Sequence, residues 1–232
     1  MKRLCIAAGL GVALAVLAGP TAARERAPQG AYANPSAAIA AEIAFAQLAK
    51  DKGQWAAFRA TATKDAVMFV PQMVYTQDHL KNLAEPAQLT TWQPHQVWSS
   101  CDGSIAVTRG AWQRGDATGY FTTVWQRQND GQYKWVMDQG DSLAMPLDAP
   151  EMIVAKVADC PKGKPPRPLK REKIKQLPPL DPAHRAGQSD DGTLTYDVAV
   201  QPDGARQFTV NLMLGGQLSP VQMVQVAAPE HP

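Results

Sequence analysis

The spacing of apolar residues changes along this chain from a helical to an extended pattern. From about residue 36 the apolar positions recur at the near-helical spacing of one helix face; they are Ala37, Ile39, Ile43, Phe45 and Leu48. We predict a helix that starts at Ser36 and stops at Gly53, followed by a short helix from Gln54 to about Thr61. The two helices would form a hairpin with one apolar side.

Beyond residue 65 the pattern is extended. Residues 66–70 are typical of a buried strand, and segments rich in Val, Thr, Trp and Tyr follow at 93–100, 104–113, 119–128 and 132–139. Short turns that contain Gly and Asp separate the four segments, which favours hairpins. Helices followed by an antiparallel meander predict an α+β domain over residues 34–160. A curved sheet wrapped around the helices would bury their apolar side.

The last third of the chain has a different composition. Residues 161–190 are basic and rich in proline, which predicts an extended linker. Its charge is suited to contact with anionic envelope surfaces. Residues 191–228 contain two alternating segments around a Pro-Asp-Gly turn and predict a C-terminal β-hairpin module, with a third strand near its end. Two or three strands are rarely stable alone, so we expect this module to dock on the main domain or on a partner.

The first 23 residues have the layout of a secretory signal peptide. Lys2 and Arg3 precede an uncharged apolar run, and small residues lead to a cleavage point after Ala23. The run is shorter than the roughly 20 residues that a membrane span needs. We therefore expect a periplasmic or secreted protein without a stable membrane anchor, whose residues 24–33 are disordered.

Charge and cysteine content follow from this signal peptide. The chain has 23 Lys and Arg against 21 Asp and Glu, and removing Lys2 and Arg3 leaves 21 against 21. A neutral mature protein offers no argument for binding nucleic acid. Cys5 leaves with the signal, so Cys101 and Cys160 remain, and in an oxidising compartment they predict a disulfide. A redox-active or catalytic thiol is the alternative, although the chain has no CxxC motif.

The segment from about Ala41 to Asp141 resembles the NTF2-like superfamily, in particular its SnoaL-like and DUF4440 groups of secreted bacterial proteins. The likeness is carried by AEIAFAQLAKDKGQWAAF, AVMFVP, TRGAW, the stretch from Tyr120 to Arg127, and YKWVMD. The resemblance implies an NTF2-like (cystatin-like) cone, in which helices pack in a bent antiparallel sheet and leave a pocket at the open end. It also implies a homodimer. Relatives include isomerases, dehydratases and binding modules, so fold does not decide function.

Asp138 is the best candidate for chemistry, because a carboxylate inside an apolar cone has a raised pKa and can act as acid or base. His95 and Tyr120 are its candidate partners, with His95 on the same strand face as Val97 by simple alternation. An aspartate at a strand end and a half-exposed histidine are the structural alternatives. The candidate pocket walls are tryptophans, Trp98, Trp112, Trp125 and Trp135. No pair of histidines has metal-ligand spacing, so we expect no metal and no cofactor.

Three functions fit these observations. The first hypothesis is a non-catalytic protein that binds a small apolar ligand or serves as an accessory. The second is a cofactor-independent isomerase, dehydratase or cyclase that uses Asp138 as acid or base. The third is an envelope interaction protein that engages a partner through the basic linker and the C-terminal hairpin.

Overall fold

The computed structural model of the chain describes residues 33–162 and 169–229. The predicted signal peptide and nearly all of the segment 24–33 lie outside these residues, as does part of the basic linker. In the described ranges no helix is long and apolar enough to cross a membrane.

Two consecutive helices open the fold, as predicted. Helix α1 spans Pro35–Lys52 and helix α2 spans Gln54–Thr61, and a short third helix, α3, spans Thr76–His79. Gly53 links the first two with φ of 102°, a left-handed conformation that favours glycine. The residues that α1 buries lie on one face at helical spacing, namely Ala38, Glu42, Phe45, Ala46 and Ala49.

A seven-stranded sheet holds these helices. Its strands are β1 (Ala62–Phe69), β2 (Met73–Tyr75), β3 (Thr91–Ser99), β4 (Ile105–Arg114), β5 (Ala117–Arg127), β6 (Tyr133–Leu143) and β7 (Val154–Val157). They lie in the order β2-β1-β6-β5-β4-β3-β7. The antiparallel meander from β3 to β6 confirms the prediction. Strand β1 joins it by parallel pairing with β6, and β7 joins by parallel pairing with β3.

Alternation along each strand divides the sheet into two faces. The helix-facing face carries an aromatic cluster in which Phe45 of α1 and Phe58 of α2 pack edge-on to one another and to Trp92 of β3. The opposite face, which we call the outer face, carries aliphatic residues such as Val107 and Val124. The helices therefore bury only one side of the sheet, and the outer face needs a different cover.

The C-terminal strands provide that cover. Strands β8 (His184–Gln188), β9 (Leu194–Val200), β10 (Arg206–Leu214) and β11 (Gln217–Val226) form a second antiparallel sheet in the order β11-β10-β9-β8. Its apolar side and the outer face of the first sheet form one continuous core, to which the second sheet contributes Val198, Phe208 and Val210. The C-terminal strands therefore dock on the main sheet of the same chain, which is one of the two possibilities that we expected.

This second sheet has one strand more than the sequence predicts, and β8 lies inside the predicted linker 161–190. The sequence HRAGQ has no apolar alternation, because β8 is an edge strand that pairs only with β9. The described part of the linker that precedes it is extended but held in place. The Lys64 ammonium donates to the backbone oxygens of Ile174 and Lys175, and the Tyr75 hydroxyl donates to the backbone oxygen of Pro178.

The predicted disulfide is present between Cys101 and Cys160, which are 59 residues apart. It lies beside a polar link between the two sheets, where the Cys101 N–H donates to Thr193 Oγ1 at 2.9 Å and the Asp102 N–H donates to Asp191 at 2.9 Å. The disulfide ties the residues after β3 to the residues after β7, both strands of the first sheet. The two hydrogen bonds beside it fix the second sheet against the first.

Candidate active site

A cavity of about 310 Å³ lies between the helix pair and the helix-facing face of the first sheet. Its apolar walls are aromatic, formed by Phe45, Phe58, Trp92, Trp112 and Phe121. Polar groups line the rest, namely Gln54, Thr90, Arg114, Gln139, Asp141, Ser142 and the carboxyl-bearing Asp138. A cavity of this size with aromatic walls and several polar groups suits a small ligand.

Asp138 lies in this cavity, on the helix-facing side of β6. A bulge between β5 and β6 sets its register, so that Asp138 lies directly opposite Thr123. The Thr123 hydroxyl donates to Asp138 Oδ2 at 2.7 Å. Burial raises the pKa of Asp138 to about 7; the Thr123 bond opposes this rise and the Glu42 carboxyl adds to it. This carboxyl therefore changes its protonation state near neutral pH.

Glu42 is a second carboxyl group beneath the cavity, and sequence reasoning missed it. Its side chain is completely buried, with 0% exposure. Trp92 Nε1 donates to Oε1 at 2.7 Å, while the Thr108 hydroxyl at 2.5 Å and Trp125 Nε1 at 3.0 Å donate to Oε2. Burial raises the pKa of Glu42, and these hydrogen bonds oppose the rise. One feature of the sequence could have indicated its burial: Glu42 is a lone glutamate on the apolar face of α1, four residues from both Ala38 and Ala46.

His95 does not line this cavity. The register shifts between Pro94 and Gln96, so His95 is the extra residue of a bulge and the predicted alternation with Val97 does not hold. The imidazole instead borders neighbouring clefts, one of which it shares with Arg109. Burial, and then the charge of Arg109, lower the pKa of His95.

Tyr120 points to the outer face, away from Asp138. It packs against Val224 and Val226 of the second sheet, and the Arg109 guanidinium lies 5.1 Å from the centre of its ring. Burial, followed by the charge of Asp141, raises the pKa of Tyr120 to about 12. The structure therefore does not bring His95 or Tyr120 together with Asp138, and the partner roles that the sequence suggested for them have no geometric basis.

The four predicted wall tryptophans have different positions. Trp112 lines the cavity, with its Nε1 donating to the backbone oxygen of Tyr120 at 3.0 Å. Trp125 and Trp135 are buried behind the cavity in the helix-facing core, and Trp98 belongs to the core between the two sheets. Trp92, which is not one of these four candidates, also forms part of the wall. The side of the sheet on which each tryptophan lies decided its role.

Within the described ranges, no group of three or more His, Cys, Asp or Glu side chains is arranged to hold a metal ion.

No protein-family model and no curated protein matches this chain. Solved structures do match it. One described as a "putative ketosteroid isomerase" from Parabacteroides distasonis has 18% identity and a TM-score of 0.38, over 44% of this chain and 86% of that one. Another with the same description, from Shewanella frigidimarina, has 17% identity and a TM-score of 0.37, over 48% of this chain and 100% of that one. A third, from Kribbella flavida, has 15% identity and a TM-score of 0.36, over 58% and 98%.

The chain resembles NTF2-like proteins in fold. A helix pair lies against one face of a sheet in which a four-stranded meander pairs in parallel with β1, as the sequence resemblance implies.

Proposed function

We propose that this protein is a cofactor-independent enzyme that moves a proton on a small, largely apolar substrate, as an isomerase or dehydratase does. The observation that carries the proposal is Asp138, a carboxyl group in an aromatic cavity with a pKa of about 7. A general base is most effective when its pKa lies near the working pH, because it is then ionised and still basic. A cavity that only binds an apolar ligand has no need of such a group.

The walls of the cavity suggest how the proton would move. The ionised Asp138 would take a proton from a carbon next to a carbonyl group, leaving the electron pair on the substrate oxygen, and would return the proton to another position of the substrate. Gln54 can assist at that oxygen. Its Oε1 accepts a hydrogen bond from the Thr90 N–H at 3.2 Å, so its Nε2 is the group that can donate to a ligand.

Proton abstraction can be tested before the natural substrate is known. Residues 24–232 would be incubated in D₂O with a panel of small enolisable ketones, and hydrogen–deuterium exchange at the carbon would be followed by NMR. We expect exchange that increases with pH through about 7 and then levels, as Asp138 ionises. Asp138→Asn should lower the rate by about 10²-fold or more. Asp116→Asn, which changes an exposed turn carboxylate, is the matched control.

Two outcomes would contradict this proposal. If members of the panel bind, detected by quenching of tryptophan fluorescence, but no exchange is seen, the result favours our first hypothesis, a small-ligand-binding or accessory protein. If exchange is faster than without the protein but is unaffected by Asp138→Asn, another group is the base and the role proposed for Asp138 is wrong.

Location and partners are part of the same proposal. The disulfide is compatible with a periplasmic or secreted protein, and cleavage after Ala23 remains a prediction that N-terminal sequencing of the mature protein would test. The homodimer implied by the family resemblance also remains a prediction. It would require a surface other than the outer face of the first sheet, because the second sheet covers that face. A role of the linker and the second sheet in binding an envelope partner stays a prediction as well.

A further inference from the structure

Glu42 and Asp138 lie at the two ends of a row of side chains on the helix-facing face. Thr108 of β4 lies opposite Thr123 of β5, and Thr123 lies opposite Asp138 of β6. The Thr108 hydroxyl donates to Glu42 at one end of the row, and the Thr123 hydroxyl donates to Asp138 at the other end. Directly opposed residues on adjacent strands have Cβ atoms about 5 Å apart. Two neighbouring hydroxyl groups therefore lie between Glu42 and Asp138, and the Thr108 hydroxyl also reaches the backbone oxygen of Thr123 at 3.4 Å.

Packing alone does not account for Glu42. The rest of its helix face is apolar, and a buried carboxylate is costly unless it is well paired. Its two indole partners can only donate, so they favour the ionised form. The Thr108 hydroxyl can donate to the ionised form or, after rotation, accept from the protonated form. Both protonation states of Glu42 thus have hydrogen-bond partners, which is what a titrating group needs.

Few charged side chains surround Glu42 and Asp138. The elements packed around them contribute uncharged groups, which are Gln54 from α2, Trp92 from β3 and Thr123 from β5. The charged residues that line the cavity beside Asp138 are Arg114 of β4, which is exposed, and Asp141 of β6. Solvent therefore screens the arginine, while a negative charge on the fully buried Glu42 disfavours a negative charge on the partly buried Asp138.

We propose that Glu42 and Asp138 form a coupled carboxyl pair, in which Glu42 is a positioning residue that controls how readily Asp138 takes up a proton. The catalytic meaning of this pair rests on the proposed function, but the coupling itself does not. Glu42 also holds the indole of Trp92, so it fixes one wall of the cavity in addition to adjusting the charge of Asp138.

The coupling can be measured in the ligand-free protein. Isotope-labelled residues 24–232 would be titrated by NMR from pH 4 to pH 9. The carboxyl carbon of Asp138 reports its own protonation, and the indole N–H signals of Trp92 and Trp125 report that of Glu42. We expect the indole signals to move at the pH at which Asp138 titrates, because each proton that binds to one carboxyl changes the other.

Two variants should shift the titration midpoint of Asp138 in opposite directions. Glu42→Gln removes the like charge and should move the Asp138 midpoint to lower pH by about one unit. Thr123→Val removes the hydrogen bond to the ionised form and should move the midpoint to higher pH. Thr123→Ser should restore it. Thr122→Val is the matched control, because Thr122 is also completely buried but lies on the outer face of the same strand.

Opposite shifts cannot come from general damage to the fold, and Thr123→Val alone remains a test if Glu42→Gln fails to fold. The proposal is overturned if Asp138 keeps its midpoint in Glu42→Gln, or if the indole signals of Trp92 and Trp125 do not move through the Asp138 transition. Absence of any proton-exchange activity would refute the proposed function and leave these titrations unchanged. The two failures are therefore distinguishable.

Discussion

Replacing Asp138 with asparagine should stabilise the protein above neutral pH while it removes the proposed base. Burial raises the pKa of Asp138 from 3.8 to about 7. A carboxyl whose pKa is higher in the folded state keeps its proton longer in the folded protein than in the unfolded chain. The free energy of unfolding therefore falls as pH rises from about 4 to about 7, and it levels above that range.

The size of the effect follows from the shift. Each unit of pKa difference between the folded and unfolded states corresponds to about 1.4 kcal/mol. At pH 8 the ionised Asp138 carboxylate therefore lowers the free energy of unfolding by up to about 4 kcal/mol. The partial solvent contact of Asp138 makes this an upper limit. Asparagine keeps the shape, and its side-chain oxygen can still accept from Thr123. For a protein of this size the melting temperature of Asp138→Asn should exceed that of the wild type by roughly 10 °C at pH 8.

Thermal unfolding followed by circular dichroism at pH 4 and pH 8 would test this. The difference between variant and wild type should be small at pH 4 and large at pH 8, and the exposed control Asp116→Asn should show no such dependence on pH. An Asp138→Asn variant that is no more stable than the wild type at pH 8 would refute the reasoning. Such a result would mean that the Asp138 carboxylate is well solvated and is not a base with a raised pKa.

Further predictions concern the core between the two sheets, the disulfide, and the close approach of β3 and β4. Phe208→Ala should lower the free energy of unfolding by about 3–5 kcal/mol in urea titrations, because Phe208 is fully buried in the common core of the two sheets. Both sheets should unfold in one transition, and two separate transitions would contradict the common core. Gln207→Ala, at the neighbouring exposed position, is the control. Replacing both Cys101 and Cys160 with serine should lower stability by roughly 4 kcal/mol in the chain-entropy model; equal stability of the reduced and oxidised wild type would argue against it. Gly110→Ala should lower the free energy of unfolding by about 1–3 kcal/mol, because the added Cβ would clash with the backbone oxygen of Gln93 in β3. An unchanged melting temperature would show that β3 can move aside.

Local patterns predicted the secondary structure of the first domain well. The helix pair and the four-stranded meander depend on apolar periodicity and on turn residues, which are properties of short stretches of sequence. The same patterns did not predict which strands pair in parallel. The pairings of β1 with β6 and of β3 with β7 join segments that are far apart in the chain. The edge strand β8 escaped prediction because its residues have no apolar alternation.

The site was predictable only in part. Asp138 could be chosen as a carboxylate on the last strand of the meander, but His95 and Tyr120 could not be placed correctly. A bulge displaces His95, and alternation places Tyr120 on the outer face. Glu42 was missed because a glutamate in an alanine-rich helix has the pattern of a solvated residue. Only the docking of α1 on the sheet shows that two indoles and a hydroxyl point at it.

Local pattern was enough to predict the helix pair and the antiparallel meander, because apolar periodicity and turn residues are properties of short stretches of the chain. The cysteine pair followed from the cysteine count and the predicted compartment. Strand register and helix docking fix which face of the sheet each side chain occupies, and therefore which groups share the cavity. A one-residue bulge reverses the face of every residue beyond it, and no local pattern records where such a bulge falls. The connection of Glu42 to Asp138 likewise exists only because three strands bring Thr108, Thr123 and Asp138 into one row beneath the helix.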